Sequence, residues 1–269
     1  MMYVDKLLIF DIKGSMAHFR KFYTNSSSLS YTFPPRTTII GLIAGILGIE
    51  RDEYYEEFGS EKCRIAVSIK TPVRKIMQTV NYVQTKKDKG GIKAVNLSAR
   101  HTQIPLEIIL PLKSFDQIRY RVYIYHNGEI FNKFKEILET GKFVYPPYLG
   151  ISEFIAEIKF VDFIKKGENH EIEKLSNPFD PVEIVTVVNA KQISKGGLIF
   201  ERNFGETLQY VKERMPVEFD SERKIKRVAS FIYEKKYNIT KLRIKGDYYR
   251  ISYQNSRKGE IVENIVFME

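Results

Sequence analysis

The chain has 269 residues, 43 Lys+Arg against 33 Asp+Glu, and a formal net charge of +10. With 43% hydrophobic residues and only 16 Gly and 10 Pro, it carries enough apolar side chain for a core and is no disordered tail. A single cysteine, Cys63, excludes an internal disulfide framework and a Cys-based zinc cluster, and fits a reducing cytoplasm.

Asp5 and Lys6 interrupt the N-terminus ahead of the short run Leu7-Leu8-Ile9-Phe10, so no signal peptide is expected. The longest apolar run, 39–49, contains three glycines and falls well short of the ~20 residues that span a bilayer. The expectation is a cytoplasmic chain with no membrane partner. Its charge is uneven: residues 70–103 carry +7 and residues 222–258 carry +9, leaving an acidic remainder. Two basic zones on an acidic body match a polyanion binder, and a Lys-rich solubilising surface is the alternative.

In chain order, residues 3–12 read as a core strand ending in the small-residue turn Gly14-Ser15-Met16-Ala17. The aromatic, basic segment His18-Phe19-Arg20 and a polar loop follow, then Tyr31-Thr32-Phe33-Pro34-Pro35. The prolines set up a helix start, and 39–47 reads as an apolar helix stopped by Gly48. Its Gly41 and Gly45, one turn apart, suggest close packing of a buried helix on a sheet. A short acidic helix is expected over 50–58 and a strand over 64–71.

Residues 72–104 form a basic insertion with a hairpin pattern and the loop-like tip Lys86-Lys87-Asp88-Lys89-Gly90-Gly91. Strands at 104–110 and 118–125, an amphipathic helix over 130–139 closed by Gly141, the rigid turn 145–150 and a strand at 155–164 complete this part. The order β-α-β-insertion-β-α-β predicts an α+β fold of the ferredoxin-like, RRM-like split βαβ type over 1–165. Residues 166–269 read as a smaller β-rich region with a basic helix near 221–233.

No metal-ligand spacing, Walker loop, dinucleotide fingerprint or Gly-x-Ser-x-Gly elbow is present, so no metal and no cofactor is expected. Metal-independent ribonuclease chemistry needs a proton acceptor, a donor and a cation on the phosphate. His101 beside Arg100, with Tyr54 or Tyr55, is the set that meets it, although such sets arise by chance in a basic, Tyr-rich chain. The binding features are stronger. Phe19, Arg20, Phe22, Tyr23 and Tyr31 crowd one loop, and rings with an Arg plane stack single-stranded bases; packing under the loop is their alternative role. His18 suits a stacked base or a plain loop position. The helix start at Arg36-Thr37 offers N–H groups to a phosphate, and the Tyr/Arg stripe 119–125 reads as sheet surface rather than a nucleotide platform.

The segments Gly14-Ser15-Met16-Ala17-His18-Phe19-Arg20, Tyr31-Thr32-Phe33-Pro34-Pro35-Arg36-Thr37-Thr38 and Gly41-Leu42-Ile43-Ala44-Gly45-Ile46-Leu47-Gly48 resemble the N-terminal signature of the Cas-five family. These are CRISPR-associated proteins of the RAMP superfamily found in type I Cascade effectors of antiviral defence. His101-Thr102-Gln103-Ile104-Pro105-Leu106-Glu107 and Tyr145-Pro146-Pro147-Tyr148-Leu149-Gly150-Ile151-Ser152-Glu153-Phe154 are also similar, nearest its type I-B branch. The likeness spans residues 1 to about 165.

This resemblance implies a ferredoxin-like domain with a protruding β-hairpin thumb at 72–104, in a subunit that caps the 5′ handle of the crRNA. The backbone subunit and the large subunit of Cascade are the implied partners, with target DNA a further one. By analogy Arg20, Phe22 and Tyr23 touch the handle, and Arg74, Lys75, Tyr82, Lys86 and Arg100 line the thumb's RNA side. One branch cuts precursor crRNA with a Tyr, Lys and His set. Here Arg100-His101 stands where the Lys-His pair would be sought, and a non-catalytic RNA-binding role is expected over the endoribonuclease alternative. A basic RNA chaperone without handle specificity is the third reading.

Overall fold

The computed structural model describes residues 3–83, 101–168, 170–176, 180–200, 207–236, 239–255 and 259–269, with the backbone alone at Val83, His101 and Thr102. Its centre is a four-stranded sheet of β1 (Lys6–Gly14), β4 (Cys63–Ile69), β7 (Ile118–His126) and β8 (Glu157–Lys165), in the order β4-β7-β1-β8. Every neighbouring pair is antiparallel. Between them lie the short pair β2 (Phe19–Arg20) and β3 (Ser30–Tyr31), helix α1 (Arg36–Leu47), the long strands β5 (Val73–Val83) and β6 (His101–Pro111), and helix α2 (Ile130–Thr140).

Period-two alternation in β1 gives the sheet two different faces. Leu8, Phe10 and Ile12 point to the side where both helices pack, with Phe10 meeting Phe134 of α2 edge-on at 5.6 Å. Leu7 and Ile9 point to the other side, against Ile251, Tyr253 and Ile265. Helix α1 ends as its sequence asks: Gly48 sits at φ 74°, and the Ile49 N–H reaches back to the Ala44 carbonyl at 2.9 Å.

Strands β5 and β6 form their own two-stranded ladder, from Val73↔Pro111 at its root to Val83↔His101 at its outer end. Ten residue steps at about 3.3 Å give an arm of about 33 Å. Bridges from Ala17 to Ile109 and from Ser28 to Leu106 fasten its inner half to the segment joining β1 to α1.

The rest of the chain is strand-rich. β9 (Ile172–Ser176), β16 (Asp247–Asn255) and β17 (Gly259–Ile265) form one sheet. A second holds β10 (Val182–Ile184), β12 (Ile193–Leu198) and β15 (Thr240–Ile244); a third holds β11 (Val188–Asn189), β13 (Tyr210–Phe219) and β14 (Ile225–Glu234). Met215, Val217, Phe231 and Met268 join the same buried cluster as Phe10 and Ile39.

Two expected helices are absent from these places. Residues 221–233 are not a basic helix but contribute to β14, because Ala229, Phe231 and Tyr233 bury every second side chain and Lys and Arg only fringe that stripe. Residues 50–58 form turns, since Gly48 has already closed α1 and Asp52 takes φ 68°. No helix among the described residues is long and apolar enough to cross a membrane.

Arg36 ties the halves together. Its buried guanidinium donates to the carbonyls of Phe58 (2.7 Å) and Cys63 (3.0 Å) and bonds Glu269, whose carboxylate also accepts from the Ile65 N–H at 3.0 Å. Both side chains are only 1% exposed. Removing one partner of such a pair leaves an uncompensated buried charge, so Arg36→Ala is expected to cost about 3–5 kcal/mol. Urea unfolding measures this, and a loss below about 1 kcal/mol would show that the pair is not a structural tie.

Candidate nucleic-acid interface

The site is built around the exposed face of α1. Thr37, Thr38, Gly41 and Gly45 line a cavity of about 690 Å³, together with Arg20, Phe22, Tyr54, Tyr55, Tyr145, Tyr148, Phe219 and Arg223. The glycines therefore do not press this helix face onto a sheet, as their spacing suggested. A methyl group at Gly45 would meet nothing within 4 Å, and one at Gly41 only the Tyr54 hydroxyl at 3.4 Å. They keep the cavity floor low.

One wall is the 145–150 turn. Its backbone is docked on the end of α1, with the Val144 N–H on Ile46 O (3.1 Å) and the Tyr145 N–H on Gly45 O (3.3 Å). Pro146 and Pro147 stiffen it, and Tyr145 and Tyr148 stand about half exposed on either side. At its far end Gly150 has φ 95°, and a Cβ there would lie 1.8 Å from the His18 carbonyl oxygen. Only glycine fits.

A second wall comes from the β2–β3 segment, which touches the end of that turn. Arg20 and Phe22 line the cavity, and the Phe22 ring meets that of Tyr23 edge-on at 5.2 Å, each about half exposed. Beneath them His18 is buried, its Nδ1 2.8 Å from the Glu107 carbonyl and its Nε2 2.9 Å from Ser28 Oγ. Burial lowers its pKa, so it sits neutral, with Nδ1–H donating to the carbonyl and Nε2 accepting from the hydroxyl. The segment that carries Arg20 and Phe22 is thus pinned to the arm.

Several of the expected contact residues are buried, Tyr31 among them although it lines the cavity. His18, Phe19, Tyr31 and Arg36 are each 3% exposed or less. Phe19 packs edge-on with Tyr120, the Tyr31 ring lies under Lys21, and Arg36 is spent on Glu269. Lys75 is held inward as well, donating to the Ser30 carbonyl and facing Glu107 and Glu213 at 3.4 Å. Arg74 and Tyr82 are exposed on the arm, at its root and near its outer end. Lys86 and Arg100 lie outside the described residues.

Of the acid–base set, Arg100 and the His101 side chain lie outside the described residues. Tyr54 and Tyr55 lie together at the cavity, 4.7 Å between ring centres, while His101 begins β6 at the outer end of the ladder. Tyr55 donates to Asp52 at 2.5 Å, and burial raises its pKa, so its proton is held. Sequence reasoning missed Tyr145, Tyr148, Phe219 and Arg223 as site residues. The Tyr-Pro-Pro-Tyr run was the available signal, since two prolines fix a turn that shows both rings outward. Phe219 and Arg223 gave none, being brought in by the β13–β14 hairpin.

The family model described as CRISPR-associated protein (Cas_Cas5) matches residues 7–232. The chain belongs to that family. The match continues well past residue 165, where the quoted motifs end, and takes in β13 and most of β14. No curated protein matches this Cas_Cas5 member. Among solved structures it is similar to a chain described as "CRISPR RNA-guided surveillance complex", at 12% identity and TM-score 0.48, covering 88% of this chain and 91% of that one. A chain described as "Crystal structure of Cas protein" aligns at 14% identity and TM-score 0.43, covering 85% and 93%. A chain of a type III-B Cmr-beta complex bound to cognate target RNA and AMPPnP aligns at 14% and 0.43, covering 88% and 86%.

Two glycines of this Cas_Cas5 member make opposite tests of the site. Gly45→Ala is expected to stabilise the fold by about 0.5–1 kcal/mol, because the added methyl meets open space on a helix. Gly150→Ala is expected to destabilise it by about 1–3 kcal/mol through its backbone angle and the His18 contact. Thermal unfolding of both reads the difference; a destabilised Gly45→Ala would mean that the helix face is packed rather than open.

Proposed function

We propose that this chain is a non-catalytic RNA-binding subunit of a type I Cascade complex, and that it caps the 5′ handle of the crRNA at the α1 groove. The observation that carries this reading is the groove itself: exposed aromatic rings on both walls, a low glycine floor, and Arg20 and Arg223 among its lining. Rings of this kind accept splayed bases, and guanidinium groups take the phosphates between them. Membership of a CRISPR-associated family supplies the context in which a guide RNA is the strand at hand.

The strand order β4-β7-β1-β8, with both helices on one face, supports the ferredoxin-like reading of residues 1–165, and residues 166–269 are kept as the β-rich region beside it. The β5–β6 arm is the thumb in this reading, with Arg74 and Tyr82 on its RNA side and the backbone subunit beyond it. Another face receives the large subunit, target DNA is a further partner, and the setting is cytoplasmic antiviral defence. The separation of His101 along the arm from Tyr54 and Tyr55 favours a binding role over precursor cleavage.

Metal-free incubation with the repeat RNA of the same genome's array, resolved on a sequencing gel, tests this. The expected result is selective retention of the handle fragment without cutting. Tyr148→Ala should weaken handle binding by roughly 5- to 150-fold, the equivalent of about 1–3 kcal/mol per stacked base, and Arg20→Ala should weaken it by loss of a phosphate contact. Site-specific cutting that disappears in His101→Ala would replace this reading with the endoribonuclease one. Binding that ignores handle sequence would favour a general RNA chaperone.

A further inference from the structure

On the side of the central sheet away from α1 and α2, β16 and its neighbours cover only part of the surface. The part left open forms a polar cavity of about 520 Å³. Three cations stand in one cross-strand row on its floor. Lys13 of β1 is in register with Arg119 of β7, and the Lys70 N–H, just beyond β4, bonds the Arg119 carbonyl at 2.8 Å. Strands lie about 4.8 Å apart, so the three cations are close neighbours, and Glu157 of β8 continues the row opposite Lys13. Lys159 of β8, beside Asp11 in the next row, adds a fourth.

Acidic groups meet some of this charge. Glu157 pairs with Lys13 at 3.0 Å, Glu263 with Lys70 at 2.7 Å, and Asp11 takes the Arg121 fork at 2.7 and 2.9 Å; Asp116 lies on the rim. Among the described residues, Arg119 and Lys159 have no ion-pair partner. Next to Asp116, Phe115 is fully exposed.

We infer that this cleft is a second contact for a single-stranded nucleic acid, separate from the α1 groove, with Arg119 and Lys159 on phosphates and Phe115 stacking a base. A planar fork beside point charges suits phosphodiester oxygens, and a fully exposed ring next in sequence to the rim residue Asp116 favours a nucleic-acid strand over an acidic polypeptide. The cleft and the groove lie on opposite sides of the sheet, so each is tested without the other.

The probe is a fluorescein-labelled polyuridine RNA of roughly 20 nucleotides, followed by anisotropy between about 50 and 200 mM salt. Arg119→Ala with Lys159→Ala is expected to reduce the slope of log K against log salt by about 1.4, at about 0.7 per phosphate contact. Lys159→Ala alone, at an exposed position, should remove about 0.7. Phe115→Ala should weaken binding at least roughly 5-fold at fixed salt. These losses should persist when Arg20→Ala is the starting protein.

A parent that does not bind the probe, or variants with the parent's slope and affinity, overturn the inference, and the second result leaves the groove reading intact. A polyglutamate peptide that binds the parent and is lost in the double variant, with the RNA slope unchanged, also overturns it and assigns the cleft to an acidic partner. If instead Arg20→Ala and Tyr148→Ala bind handle RNA like the parent while the cleft variants lose slope, the groove reading fails and the cleft stands.

Discussion

The buried guanidinium of Arg36 sets the position of α1, and the rest of the site is measured from that helix. Four segments far apart in sequence meet on this one group: the first turn of α1, the carbonyls at Phe58 and Cys63, the Val217 carbonyl of β13, and the carboxylate of Glu269. An unpaired charge at this depth is too costly to keep, so the four arrive together or the helix start is lost. With α1 fixed, its C-terminal carbonyls receive the 144–145 backbone and its glycine face becomes a floor. The groove is thus a consequence of a polar tie on the far side of the same helix.

A second constraint fixes the walls. Gly150 lets one backbone lie against the His18 carbonyl, and the His18 ring reaches Ser28 and the arm. Residues expected from the sequence to contact RNA instead hold their neighbours in place. His18, Phe19 and Tyr31 are buried so that Arg20, Phe22 and Tyr23 are presented on a stiff segment rather than a free loop. Preorganisation of this kind lowers the entropy lost when bases are stacked.

Much of the architecture is legible in residue order, because period-two and helical patterns are local. The strand–helix order through residue 165, the stop at Gly48, the Gly141 cap and the amphipathic stripe of α2 all rest on a few neighbouring residues. The misread places have a shared cause. In β14, basic residues mask a Val228-to-Tyr233 alternation, and residues 50–58 have helical composition but follow a closed cap. The site is less legible. Sequence picks out aromatic and basic residues near β1 without saying which faces are buried, and Arg36 is unreadable because its partner is 233 positions away. Phe219 and Arg223 join by tertiary packing alone. The cross-strand row of Lys13, Arg119 and Lys70 likewise exists only once three strands are in register.

The central claim is that handle RNA lies in the α1 groove between the 145–148 turn and the Arg20–Tyr23 segment. Photocrosslinking of 4-thiouridine-substituted handle RNA, followed by mass spectrometric mapping of the adducts, tests it most directly. Adducts on Phe22, Tyr23, Tyr145 or Tyr148 are the expected result. Adducts confined to residues outside the groove lining, with none on Phe22, Tyr23, Tyr145, Tyr148 or Phe219, would contradict it.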